Sequence, residues 1–133
     1  IMFDEPGTAQ GNWFFDAPRK PEDPHLSLAY DNVYADRAVF SIGNSFGDRI
    51  PSMKYFFDPV DEGLVNRRFA DIVPDGKVYC YENLSTPIDG PIHNLTLLLN
   101  MADAETLRMD GRLAGSCGSG PWELGDAALI FRR

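Results

Sequence analysis

His25-Leu26-Ser27-Leu28-Ala29-Tyr30 alternates residue by residue, with Leu26, Leu28 and Tyr30 on one side of a pleat and His25, Ser27 and Ala29 on the other. Successive strand side chains point to opposite faces, so this period of two reads as a half-buried antiparallel strand. The same rhythm recurs in Ala38/Phe40/Ile42, Met53/Tyr55/Phe57, Leu95/Leu97/Leu99 and Ala127/Leu129/Phe131. Turn chemistry cuts the strands off roughly every eight to twelve residues, a spacing that belongs to all-β barrels and sandwiches.

Working outward, Asn12–Asp16 reads as a first strand, followed by a proline-rich connection over 17–24, since prolines cannot donate to a ladder. Strands are then expected at His25–Asp31, Arg37–Ile42 and Ser52–Asp58, with turns at 32–36, 43–48 and 59–63. Leu64–Val73 is less regular. A bulged strand is the first reading there and a single helical turn the second. Pro74-Asp75-Gly76 is a turn. Lys77–Glu82, Ile92–Met101 and Thr106–Asp110 follow as strands, with a long loop at Asn83–Pro91, a possible edge segment at Trp122–Leu124 and a closing strand at Asp126–Arg132. The expectation is one all-β domain over 1–133, an antiparallel barrel of roughly eight or nine strands, with a two-sheet sandwich as the alternative.

The 133 residues suffice for one core, and the net charge of −8 excludes a phosphate backbone as an obvious partner. No apolar run is long enough to span a bilayer as a helix, so no membrane insertion is expected. No cofactor motif is present, and nothing in the sequence specifies an oligomeric state.

The two cysteines are Cys80, in a strand pattern, and Cys117, in the glycine-rich Gly115-Ser116-Cys117-Gly118-Ser119-Gly120. An even count with one member in such a loop points to a disulfide tying the loop to the wall. That bond implies an oxidising compartment, secreted or periplasmic.

Gly11-Asn12-Trp13 opens the first strand and Phe131-Arg132-Arg133 ends the last. This resembles the calycin superfamily, the lipocalins and avidins, although the middle Thr-Asp-Tyr motif of lipocalins has no match. The resemblance implies that Trp13 plugs the barrel floor and that a C-terminal arginine, taken as Arg132, packs over the indole. It also implies an interior cup for one small molecule. Tyr30, Phe40, Tyr55, Tyr79 and Tyr81 are its candidate lining, and Arg67 and His93 the polar groups that would orient a partly apolar ligand.

Two other classes stay open. His25 or His93 with a carboxylate (Asp31, Asp71 or Glu82) would supply an acid–base pair for an isomerase, cyclase or lyase. A solidly filled barrel with an outer apolar patch would instead serve as a protein-interaction module. A metal site could be drawn from the two histidines and one acid, but close ligand spacing is absent and none is expected. The acid-rich loops match no calcium loop. Ser85, Ser116 and Ser119 lack the strand-to-helix setting of a nucleophile elbow. Asn83-Leu84-Ser85 and Asn94-Leu95-Thr96 fit the glycosylation sequon, with Asn94 expected inside a strand.

Overall fold

The computed structural model describes residues 4–17, 22–31 and 36–133. Half of the expected proline-rich connection (18–21) and most of the turn at 32–36 lie outside the described residues. The chain is all-β. Strands run at β1 Gly11–Phe15, β2 His25–Tyr30, β3 Ala38–Ile42, β4 Met53–Phe57, β5 Tyr79–Tyr81, β6 Ser85–Thr86, β7 Gly90–Pro91, β8 Thr96–Asp103, β9 Thr106–Arg112 and β10 Leu129–Arg132. The only helical piece among the described residues is a 3-10 turn at Phe69–Asp71.

All ten strands join one antiparallel sheet in the order β5-β8-β9-β10-β1-β2-β3-β4-β6-β7, curled into a half-barrel. The curl follows from the period-two residues. Trp13, Leu26, Leu28, Phe40, Tyr55, Phe57, Tyr81, Leu97, Leu99, Leu107, Met109 and Phe131 come from eight different strands and meet in one buried cluster. A sheet that gathers one face into one core must bend around it. At the centre, Phe40, Phe57, Phe69 and Tyr81 contact one another, with ring centroids 4.9–5.8 Å apart. Most of these contacts are edge-to-face or tilted, the geometry that aromatic quadrupoles favour.

The two flanks of the sheet meet on one short stretch, 79–86. Its first part, β5, pairs with β8 (Tyr79↔Leu99, Tyr81↔Leu97), and its last part, β6, pairs with β4 (Phe56↔Ser85). Upstream of it, the segment 60–68 touches β5 through one parallel bridge, Val65↔Cys80, and closes on itself through a second, Val60↔Arg67. Asn66, at φ 55°, uses its side-chain amide as a strand would use its backbone: it donates to the Glu82 carbonyl (3.1 Å) and accepts from the Glu82 N–H (2.8 Å). Of the two readings of Leu64–Val73, the helical turn is the one found, at Phe69–Asp71; in place of a bulged strand the segment carries only isolated bridges at Val65 and Arg67.

Three expectations are corrected. Residues 92–95 are not strand; β8 begins at Thr96, so Asn94 lies in an exposed loop. The Asn83–Pro91 loop contains the short β6–β7 hairpin. Trp122–Leu124 forms no strand. It covers the outer face of β5 and β8, where Leu98, Cys80 and Cys117 form a second cluster with Val65, Val78, Trp122 and Leu124. This cover explains why β8 is buried on both faces from Thr96 to Met101 and loses the alternation of a half-exposed strand.

The Cys80–Cys117 disulfide forms as expected. No helix among the described residues is long and apolar enough to cross a membrane.

Candidate functional site

One end of the half-barrel is sealed by its own chain. Trp13 is fully buried there, its indole N–H donating to the Ala9 carbonyl at 2.9 Å. The guanidinium over its ring, 4.2 Å from the centroid, belongs to Arg133 and not Arg132. The period of two explains the correction: Arg133 shares the inward side with Phe131, whereas Arg132 points outward to Asp16 (2.5 Å) and Thr106 (2.8 Å). Arg133 also donates to the carbonyls of Thr8 (2.6 Å), Gln10 (3.0 Å) and Ala104 (3.1 Å), clamping the lead-in segment across the floor.

The opposite end is open. There the β3–β4 loop and the segment after β7 bound a cleft of about 460 Å³. Its apolar walls are Met53, Tyr55, Ile92, Leu95 and Leu113, and its polar groups are Asp48, Arg49, Asp89, His93 and Asn94. Leu113 and the neighbouring Ile88 are 88% and 82% exposed, so the rim itself is greasy. Phe46 and Ile50, within the β3–β4 loop, are buried and join the core cluster. Tyr55 donates its hydroxyl to the Pro51 carbonyl at 2.7 Å, and burial, aided by the Asp89 charge, pushes its pKa up to about 12. Arg49 is tied to Asp110 (3.2 Å) and to the Ala127 carbonyl (2.8 Å), which fixes its place on the cleft wall.

Of the residues expected to line a cup, Tyr55 and His93 come together in this cleft; the others do not join them. Phe40 and Tyr81 are packed within the aromatic centre, and Tyr81 donates to the Arg67 carbonyl at 2.8 Å. Tyr79 is buried with its hydroxyl on Asp75 (2.6 Å), and Tyr30 stands partly buried toward the sealed end. Arg67 lies outside the cleft lining. Its guanidinium donates to Asp71 (2.8 Å) and to the Gly63 carbonyl (3.1 Å), while Arg68 shares the same carboxylate. Burial alone would push the Asp71 carboxyl up, but the bonds and charges of the two arginines hold it below its ordinary range.

The carboxylates expected beside His25 are elsewhere. Glu82 accepts the Cys117 N–H at 2.7 Å and so anchors the cysteine loop, and Asp71 belongs to the arginine pair. His25 instead sits between two residues that period and motif did not single out. Its Nδ1 meets Asp23 at 2.5 Å and its Nε2 meets the Ser41 hydroxyl at 3.3 Å. The His25 hydrogen bond is the main cause holding the Asp23 carboxyl below its ordinary range. A signal for this trio existed in the sequence. Asp23-Pro24-His25 places an acid two residues from a histidine, and the β2–β3 hairpin brings Ser41 opposite Ser27. Gly43 completes the arrangement: a Cβ there would lie 2.2 Å from the Asp23 carbonyl oxygen, so only glycine lets the two loops approach.

The chain matches no protein-family model, no curated protein and no solved structure.

Proposed function

We propose that the protein is an exported binder of a small, partly apolar molecule, held in the cleft at the open end of the barrel. The observation that carries this reading is the cleft itself, about 460 Å³, with one apolar side and several polar groups converging on it. That size and lining are what ligand sites present. Met53, Ile92 and Leu95 would bury the apolar part, and His93 and Arg49 would orient the polar part. The disulfide supports export. A calycin-like reading is supported by the chain order: β1, β2, β3, β4, the stretch 79–86, β8, β9 and β10 follow one another around the core, each antiparallel to the next, and β10 returns to β1. In this reading the ligand lies at the mouth, above a core filled by aromatics.

Native mass spectrometry of protein purified from its own host tests the proposal. A small molecule present in the native spectrum, absent after denaturation and absent from Met53→Glu is the expected result. Bare protein that also fails to take up a panel of small amphiphiles overturns it.

A second reading, catalysis on the outer wall, is favoured by the Asp23–His25–Ser41 chain. A carboxylate accepting from Nδ1 leaves Nε2 as the base facing a serine hydroxyl, the arrangement that activates a nucleophile. Labelling of Ser41 by a fluorophosphonate, lost in Asp23→Asn, is the expected result. An unlabelled Ser41 removes this reading.

A further inference from the structure

On the outer wall β9 ends in Arg112, and the chain from 113 to 124 folds back over it. The fold-back is held at three points. Cys117 is bonded to Cys80, its N–H donates to Glu82 at 2.7 Å, and its carbonyl accepts the Trp122 indole N–H at 2.8 Å. Between this loop and the strand lies a second cleft of about 560 Å³, lined by Arg112, Ser119, Pro121, Trp122 and Glu123. It shares no lining residue with the cleft at the mouth.

Two polar atoms here have no partner. One Arg112 guanidinium nitrogen, Nη1, is buried and makes no hydrogen bond, and neither does the buried hydroxyl of Thr96. The two residues face each other across the β8–β9 ladder, in register Thr96↔Arg112. Directly opposed residues hold their Cβ atoms about 5 Å apart, so their side-chain tips can share one small bridging group. The nearest acid along the strand, Asp110, is already taken by Arg49 and by the N–H groups of Gly111 and Gly125. Leaving a buried donor unmade is unfavourable, and more so when it is charged, so such a group calls for a partner from outside the chain.

We infer that the cleft between Arg112 and the disulfide loop is a binding site for a planar monocarboxylate. A guanidinium presents its N–H groups as a fork that matches a carboxylate's two oxygens. Trp122 supplies a flat apolar wall, fixed in orientation by its bond to the Cys117 carbonyl and by Gly120 packed against the ring. Ser119 adds a hydroxyl. Glu123 on the lining, in a chain of net charge −8, disfavours multiply charged anions and selects a single negative charge.

Calorimetric titration of the intact, oxidised protein with benzoate, and in parallel with benzamide, tests the site. The two probes share a ring and differ in charge. Saturable benzoate binding, at least tenfold tighter than benzamide and weakened by added salt, is the expected result. Arg112→Met is expected to lose it by at least tenfold while keeping or raising the urea midpoint, since no native bond is removed. Arg112→Lys, which keeps the charge without the fork, should fall between. Equal responses to benzoate and benzamide, or binding unchanged in Arg112→Met, overturns the proposal. A guanidinium satisfied only by a trapped water gives no saturable benzoate response, and that result overturns it as well.

Discussion

Arg132 and Arg133 are adjacent, identical and opposite in consequence. Arg133 stacks on Trp13 and donates to four carbonyls of two chain segments, while Arg132 makes an exposed pair with Asp16. Charge-assisted hydrogen bonds to buried groups contribute about 1.5–3 kcal/mol, whereas exposed ion pairs contribute little. Arg133→Gln is therefore expected to lower unfolding stability by about 2 kcal/mol in urea titration, and Arg132→Gln to leave the midpoint unchanged. The residue scale is also where sequence reading met its limit. The presence of a terminal arginine over Trp13 was legible from the ends of the chain. Which arginine it is depends on the phase of the last strand, and a one-residue slip in phase reverses the faces. His25 shows the same limit. Its partners Asp23 and Ser41 depend on loop packing around Gly43, for which a single sequence carries no distance. Gly43→Ala is expected to displace Asp23 and break its bond to His25, visible as loss of the His25 ring-proton shift difference between wild type and Asp23→Asn.

At the scale of elements, the disulfide loop decides how much of the sheet is exposed. Cys80 and Cys117 are 37 residues apart, and closing a loop of that length stabilises by about 4 kcal/mol through the unfolded chain. The Cys80→Ala/Cys117→Ala pair is expected to lose most of that in urea titration. It should also open the 113–124 segment to protease, because the cover that Trp122 and Leu124 place over Leu98 and Val78 is no longer tethered. The central strands β2, β3 and β4 were legible almost to the residue, since their inward residues keep a clean period even where Ala29, Val39 and Phe56 cluster on the other face. Blurring set in where the second face is covered: β8 reads Leu-Leu-Leu and its true start at Thr96 is hidden in a longer apolar run. The two-residue strands β6 and β7 carry no periodicity at all, and only tertiary pairing makes them visible.

Across the whole molecule, tyrosines make alkaline pH a probe of the core. Burial and, for Tyr79, the hydrogen bond to Asp75 push Tyr55 and Tyr79 up to about 12, and burial pushes Tyr81 well above its ordinary value. In the unfolded chain these phenols ionise near pH 10, so above that pH the folded state holds more protons. The stability they confer is whole below pH 10 and is lost as pH rises through 12. A urea midpoint that falls over this window, and falls less steeply in Tyr55→Phe, is the expected outcome; a flat profile would mean that the phenols are wet.

The ladder around the sheet is uneven. β3 and β4 share five register pairs from Ala38↔Phe57 to Ile42↔Met53, yet β4 and β6 share one, Phe56↔Ser85. That single rung is the zip's loose end, and the mouth cleft is built on it, with Tyr55 on one side and Pro91 and Ile92 on the other. A molecule seated there would act as a pin through both halves of the fastener. Amide exchange at 85–92 should then be the fastest-opening part of the wall in the empty protein and the most slowed on filling, so that entry to the cleft and breathing of the wall are a single motion.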